Sequence, residues 1–142
     1  MRKQIGLLLA VFLGFGIMAH PVFGLEPLER AVINDERLVN FSGATLGKHI
    51  IVNQQVQITA KITNAQETIQ PFVYIVQIKD ENDIVVNLGW ISGSMTEYQN
   101  LSPSLSWIPE KSGVYTAEIY VWDSLLTQEA LTKPVILEII TS

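Results

Sequence analysis

The chain has 142 residues, no cysteine and a formal net charge of −5. A chain of this length builds one hydrophobic core, and without cysteine no disulfide can reinforce that core. The acidic balance argues against nucleic acid as a partner, because affinity for nucleic acid comes mainly from Lys and Arg that neutralise phosphates. The composition therefore predicts a single domain that does not bind nucleic acid.

The first 24 residues have the pattern of a secretory signal peptide. Arg2 and Lys3 precede an apolar run from Ile5 to Met18, and small residues stand three and one before a cleavage site predicted after Gly24. The run is 14 residues long, whereas a membrane-spanning helix needs roughly 20. We therefore expect a signal peptide over 1–24 and an exported domain over 25–142. A retained N-terminal membrane tether is the alternative.

The predicted domain is poor in catalytic and metal-binding side chains. It has 118 residues, a net charge of −7, and His49 as its one histidine. A blue-copper site needs two histidines and a cysteine, and catalytic zinc sites usually need three protein ligands. We therefore expect no cofactor, no metal ion and no enzymatic activity. The enzymatic alternative is a glycoside-hydrolysing pair of carboxylates, Glu118 and Glu138, on neighbouring strands.

Glycine and proline divide the domain into short runs in which apolar residues recur with a period of two, the spacing of β-strands. Residues 92–100 and 123–133 are predicted loops, and 124–130 could form one helical turn. The predicted strands, in chain order, are 38–41 with 49–52 as a split opening strand, then 55–63, 72–79, 84–90, 101–107, 114–122 and 135–140.

The turn from Asp80 to Asp83 contains oxygen ligands of the kind that calcium prefers. Asp and Asn are also the usual residues of hairpin turns, and we favour that interpretation. His49 is interpreted as a strand residue without a ligand role. Asn40 and Asn100 each begin an Asn-X-Ser triplet, which predicts possible N-glycosylation in an exported chain.

The segment Ser112-Gly113-Val114-Tyr115-Thr116-Ala117 resembles the start of the sixth strand of immunoglobulin domains, where a glycine, a corner tyrosine and a cysteine follow in that spacing. By this resemblance Ala117 and Ala60 occupy the two disulfide positions. Tyr74 lies near the position of the core tryptophan. The resemblance implies a disulfide-free relative, such as the fibronectin type III branch.

A second resemblance covers nearly the whole predicted domain. The segments 52–58 and 62–64, and then 106–109, 113–115 and 121–122, resemble prokaryotic adhesion-type Ig-like modules. The chain is similar to short secreted Ig-like proteins of ammonia-oxidising archaea. The resemblance implies an all-β fold, a single Ig-like antiparallel β-sandwich of about seven to eight strands behind the signal peptide, and it specifies no function.

The strand 114–122 assigns side chains to two faces. Its odd-numbered residues Tyr115, Ala117, Ile119 and Val121 are predicted to face the core, so that Tyr120 and Trp122 project from the outside of the same sheet. In an Ig-like sandwich this strand lies between strands 72–79 and 135–140. A candidate interaction surface follows, formed by Val73, Ile75, Tyr120, Trp122, Ile136 and Ile140. The alternatives are that residues 25–33 cover this face, or that a β-bulge inverts the assignment.

These patterns predict an exported, non-enzymatic Ig-like module for protein–protein interaction or structure at the cell envelope, with a protein partner or self-association through the candidate surface. One alternative is a carbohydrate-binding module that stacks sugars on Trp90, Tyr98, Trp107 or Trp122. Another is an accessory subunit of a membrane complex, held to the membrane only if the signal segment is retained.

Overall fold

A computed structural model describes residues 24–142, which form ten β-strands and no α-helix in two packed sheets. The predicted signal peptide lies outside the described residues except for Gly24. Within the described range, no helical segment is long and apolar enough to cross a bilayer. The strands are β1 (Ala31–Val39), β2 (Thr45–Leu46), β3 (His49–Ile50), β4 (Val56–Asn64), β5 (Gln70–Lys79), β6 (Val85–Met95), β7 (Asn100–Leu101), β8 (Ser104–Trp107), β9 (Gly113–Trp122) and β10 (Val135–Thr141).

The strand order is that of an Ig-like sandwich, which confirms the predicted fold class. The first sheet runs β2-β1-β4, with β7 and β8 both paired to the far side of β4. The second sheet runs β3-β10-β9-β5-β6. All pairs are antiparallel except β3 with β10. Since β1 belongs to one sheet and β3 to the other, the opening strand is split between the sheets, as predicted.

Two strands are longer than the sequence indicated. β1 begins at Ala31, because its pairing with β4 continues past a bulge between Asn34 and Arg37 that interrupts the alternation. β6 continues to Met95 through residues predicted to be a loop. Pairing with β5 holds it in the sheet, and the ring of Phe72 lies across Gly93, where an added Cβ would be 3.0 Å from a ring carbon. Only glycine leaves room for that ring.

The loop after β9 contains one turn closed by a hydrogen bond between residues four apart, which agrees with the single helical turn considered for 124–130. The Gln128 amide donates to the Ser124 carbonyl at 3.0 Å, and Gln128 then leaves the turn with a φ of 56°. The Asp123 carboxylate accepts hydrogen bonds from the amides of Ser124 and Glu129 at 2.6 and 3.0 Å. The hydrogen bond from the Thr127 hydroxyl has the largest effect in lowering the pKa of Asp123, and the two backbone amide bonds lower it further.

The predicted alternation of β9 is confirmed. Tyr115, Ala117, Ile119 and Val121 are buried, whereas Tyr120 and Trp122 are half-buried on the other side of the sheet. The buried residues meet the inward side chains of β4 and β5 in one core. Apolar packing between the sheets therefore occupies the space that a disulfide crosses in antibody domains.

The four residues that the resemblance to immunoglobulin domains singled out are all buried in the core. The Tyr115 hydroxyl donates to the Lys111 carbonyl at 2.7 Å, which forms the tyrosine corner, and its ring packs edge-to-face on Trp107 at 4.9 Å. Ala60 and Ala117 are completely buried. Tyr74 is also buried, donates its hydroxyl to the Ile58 carbonyl at 3.2 Å, and has a pKa raised by that burial.

A buried amide joins the loops at one end of the sandwich. Asn64 is fully buried at the end of β4, and its Nδ2 donates to the carbonyls of Thr68 and Thr96 at 2.8 and 2.9 Å. Its Oδ1 accepts from the Gln66 amide at 3.1 Å. One side chain thus fixes the β4–β5 loop and the β6–β7 turn against each other.

Replacing this amide tests its contribution to stability. Asn64→Ala removes the donors to the Thr68 and Thr96 carbonyls and the acceptor of the Gln66 amide, and it is expected to lower the free energy of unfolding by about 1–3 kcal/mol. Urea denaturation measures the change, with Asn82→Ala in the exposed β5–β6 turn as the matched control. Equal, small losses in both variants would contradict the assigned role.

Candidate functional site

An apolar groove lies on the outer face of the second sheet, the face turned away from the core. Its volume is about 390 Å³. We call it the outer groove, and its lining residues are Ile75 and Gln77 from β5, Leu88 and Trp90 from β6, Tyr120 and Trp122 from β9, and Leu125 from the loop after β9. Three adjacent strands thus supply six of its seven side chains.

Cross-strand pairing determines how the groove is built. Ile75 is the central residue, paired with Trp90 on β6 and with Tyr120 on β9. Since directly opposed side chains on one face are close enough to pack, two large rings flank this isoleucine. Ile75 is consequently only 6% exposed, whereas Trp90 and Leu88 are each 53% exposed. The groove has a buried aliphatic floor and exposed apolar walls.

The structure places all six residues of the predicted surface on the outer face, but their side chains differ in how far they are exposed to solvent. Val73 pairs with Trp122 and, like Ile75, is buried, so neither offers the free surface that the sequence suggested. Their larger neighbours cover them. Ile75, Tyr120 and Trp122 come together in the outer groove.

The two β10 residues of the predicted surface lie apart from the groove lining. Ile136 pairs with Glu118 and is 65% exposed, and Ile140 pairs with Val114 nearer the other end of β9. Residues 31–33 do not cover this face, because they pair with β4 in the first sheet, and residues 25–30 supply no side chain to the lining of the outer groove. The bulge alternative also fails, since β5, β9 and β10 pair across this face without a shift.

A charged pair lies beside the aromatic side chains. Lys79 Nζ is 2.8 Å from Glu118 Oε1, and the Tyr120 hydroxyl donates to the other carboxylate oxygen of Glu118. The Tyr120 ring packs edge-to-face on Trp122 with centroids 6.1 Å apart. The hydrogen bonds from Lys79 and Tyr120 lower the pKa of Glu118, and the bond to Glu118, together with burial, raises the pKa of Tyr120 to about 12. The Lys79–Glu118 pair therefore fixes the orientation of the Tyr120 ring, which forms one wall of the groove.

The two carboxylates considered for glycoside hydrolysis have other partners. Glu118 binds Lys79 and Tyr120, and Glu138 Oε1 lies 3.1 Å from Lys48 Nζ. Glu138 pairs with Thr116, so the two glutamates are diagonal neighbours on the outer face. General-acid catalysis requires a carboxyl group with a raised pKa, and the pKa of Glu118 is lowered.

The predicted interaction surface left out four residues of the groove: Gln77, Leu88, Trp90 and Leu125. Of these, the sequence suggested only Trp90, as a candidate for sugar stacking. Leu88 and Trp90 alternate within a predicted strand, and pairing that strand with β5 would have placed them beside Ile75. The bulge between Ile78 and Lys79 shifts the register near the turn, so counting from the turn gives the wrong face. Leu125 lies in a loop, where periodicity gives no signal.

The Asp80–Asp83 segment has the hydrogen bonds of a hairpin turn. Asp80 Oδ1 accepts from the amides of Asn82 and Ile84 at 2.9 and 3.0 Å, and Asp83 adopts a φ of 60°. Glu81 reaches across to accept from the Val114 amide at 2.9 Å. These contacts favour the turn interpretation over a calcium site, and among residues 24–142 no group of three or more His, Cys, Asp or Glu could hold a metal ion.

The remaining predicted positions are dispersed over the domain. His49 is exposed in β3. Asn40 is half-buried, with its Oδ1 accepting from the amides of Ser42 and Ala44, whereas Asn100 is exposed. Glycosylation at Asn40 and Asn100 stays a prediction.

Only two of the four aromatic residues considered for sugar stacking line the outer groove, Trp90 and Trp122. Trp107 is buried against Tyr115, so it belongs to the core. Tyr98 is exposed in the turn between β6 and β7, where its hydroxyl donates to Glu67 at 3.2 Å.

No protein-family model and no curated protein matches the chain, but solved structures do. The chain is similar to the C-terminal domain of Wzt, with a TM-score of 0.62 and 15% identity over 87% of this chain and 80% of that one. It is also similar to a CARDB domain from Pyrococcus furiosus, solved in complex with di-metal ions, with a TM-score of 0.53 and 13% identity over 87% and 98% of the two chains.

An enzyme also matches, over a minor part of its length. A β-glucosidase from Listeria innocua gives a TM-score of 0.54 and 8% identity, over 78% of this chain and 15% of the enzyme. At these identities the likeness concerns the fold. The fold and the site together define the chain as an Ig-like β-sandwich domain with an apolar groove on its outer sheet face.

The charged pair beside the groove gives a pH-dependent contribution to stability. Because the pKa of Glu118 is lower in the folded state, this contribution is present above the unfolded-state pKa, about 4.3, and is lost as the pH falls through the folded-state value. Glu118→Gln should therefore destabilise the protein at pH 7 and much less at pH 3. Urea denaturation at both pH values measures this, with the exposed Glu97→Gln as control. A loss of stability that does not vary with pH would contradict the assignment.

Proposed function

We propose that this chain is an exported, non-enzymatic interaction module of the cell envelope, and that its outer groove receives apolar side chains from a partner protein. The observation that supports this most strongly is the groove itself. Trp90 and Leu88 remain about half exposed beside a buried aliphatic floor. Contiguous apolar surface of this kind commonly marks an interface on a soluble domain.

The composition of the groove fits a protein partner. Trp and Tyr are enriched among the residues that dominate binding energy at interfaces, and here Trp90, Tyr120 and Trp122 supply the walls. Tyr120 is preoriented by its bond to Glu118, so less side-chain entropy is lost when a partner binds. The walls are therefore suited to hold one or a few inserted apolar side chains.

The polar groups next to the groove support a binding role over a catalytic one. The carboxylate of Glu118 is neutralised by Lys79, and Gln77 has no acid–base chemistry at neutral pH. An active site needs an activated group within reach of a bound substrate. Along the described part of the outer groove, the side chains offer apolar contact and one amide.

Export is the part of the proposal that depends on the N-terminal sequence pattern. Cleavage after Gly24 would release the domain, and retention of residues 1–24 would hold it at the membrane as an accessory subunit. The intact mass of the protein purified from its native envelope distinguishes the two, because cleavage after Gly24 leaves Leu25 at the N-terminus.

Removing one groove wall tests the proposed interaction. Trp122→Ala should reduce photo-crosslinking to one defined envelope protein by about tenfold, because it removes an aromatic anchor from the groove. Phe41→Ala is the matched control, since Phe41 is 86% exposed and distant from the groove lining. Thermal unfolding of both variants verifies that they are folded. Equal crosslinking by the wild type and Trp122→Ala would contradict the proposal.

Glycan binding is a second candidate, favoured by the presence of Gln77 in the groove lining, where it lies between Leu88 and Glu118 and two positions along β5 from Ile75. An amide donates and accepts hydrogen bonds with sugar hydroxyls, while Trp90 and Trp122 offer ring faces for stacking. A glycan array distinguishes the candidates. Binding to a defined glycan that disappears in Gln77→Ala, without an effect on protein crosslinking, would select this second function.

A further inference from the structure

The strand at one edge of the second sheet is long and has one free side. β6 has 11 residues and pairs with β5 along almost its full length. No other strand of the described chain pairs with it, since β6 is last in the strand order. At about 3.4 Å per residue the free edge is roughly 35 Å long. It presents unpaired backbone N–H and C=O groups along that length.

The other edges of the sandwich are shorter, broken or charged. On the opposite edge of the same sheet, β3 covers only Ile140 and Thr141, and the remaining part of β10, residues 135–139, contains Glu138. In the first sheet, β2 covers only Leu38 and Val39, and the remaining part of β1 has a bulge and charged residues, while the far edge is the broken strand formed by β7 and β8. Short strands, charged residues, proline and bulges normally prevent edge pairing. From Ile84 to Met95 the sequence contains no charged residue and no proline, and the one bulge lies at the start of the strand.

We propose that two copies of this chain associate by pairing β6 with β6, antiparallel about a twofold axis, to form one continuous ten-stranded sheet. This inference goes beyond the proposed function and does not depend on it, because the backbone groups of the edge can pair without a partner in the outer groove. Leu88 and Trp90 belong both to the groove wall and to this contact. The contact is isologous, so that each copy contributes the same surface.

The properties of the edge favour a second copy as the occupant. Because β6 has no charged residue, a second copy of it brings no charge into the contact. On the outer side, Leu88 and Trp90 would meet apolar side chains of the other copy. On the inner side, Gly89 and Gly93 leave little bulk to clash. The excess negative charge of the chain lies outside the contact, and the nearby Glu118 is paired with Lys79.

The size of the contact sets the expected affinity. A strand edge roughly 35 Å long and 10 Å wide buries about 350 Å² per copy, less than the roughly 800 Å² of a standard interface. The dimer is therefore weak, with a dissociation constant expected in the micromolar range or above. The twofold axis would also bring the two outer grooves onto one face of the combined sheet.

Blocking the edge with a charge tests this inference. Ile91 is partly exposed on the inner side of β6, outside the outer groove. Ile91→Lys should weaken self-association by about tenfold or more, since pairing would bury an unpaired charge. Ile51→Lys is the matched control, because Ile51 is exposed next to β3 at the opposite edge of the sheet. Sedimentation velocity over a concentration series measures the affinity, and hydrogen exchange measures the protection of β6 amides.

The wild type and Ile51→Lys should form dimers at high concentration, and the exchange of their β6 amides should slow as the fraction of dimer rises. Ile91→Lys should stay monomeric, with unchanged exchange. Single cysteines placed in turn from Asn87 to Ser92 should form a disulfide dimer most efficiently at one position, the residue nearest the twofold axis. A wild type that stays monomeric at millimolar concentration, or a dimer with unchanged β6 exchange, would overturn the inference. So would β6 protection that arises only on addition of another envelope protein.

Discussion

The pairing of β9 between β5 and β10 is the interaction on which the rest of the molecule depends. It fixes which side chains of the central strand enter the core, and Ala117 and Val121 are completely buried as a result. The same register projects Tyr120 and Trp122 from the opposite face. A shift of one residue would exchange the two sets, because side chains alternate with a period of two. Core and groove are thus two consequences of one register.

The absence of disulfides makes this register more important. Ala60 and Ala117, to which the resemblance assigns the two immunoglobulin cysteine positions, are both fully buried. The sheets are held together by close apolar packing, by the Tyr115 corner and by the buried Tyr74 hydroxyl. The outer face of the second sheet also has large side chains: Trp122 covers Val73, and Trp90 and Tyr120 cover Ile75. The second sheet therefore has large apolar side chains on both sides, although only one side belongs to the core and the other also bears the Lys79–Glu118 pair.

Much of the fold could be predicted from the sequence, because clean alternation and turn residues are local signals. The Ser112–Ala117 motif correctly located the tyrosine corner. The groove could be predicted only in part. Its β9 residues follow from alternation, but Leu88 and Trp90 join them through pairing across a bulge, which depends on tertiary structure. The length of β6 was missed for the same reason, since Ser92, Gly93 and Ser94 are strand residues only because β5 holds them.

The register can be measured most directly in this chain because it contains no native thiol. Single cysteines at Ala117 and Val114 would report the two faces of β9, and the rate of reaction with a thiol reagent under native conditions gives the exposure of each. Ala117→Cys should react only through unfolding or local opening, orders of magnitude more slowly than Val114→Cys. Similar rates, or faster reaction at position 117, would contradict the account of the fold and of the groove together.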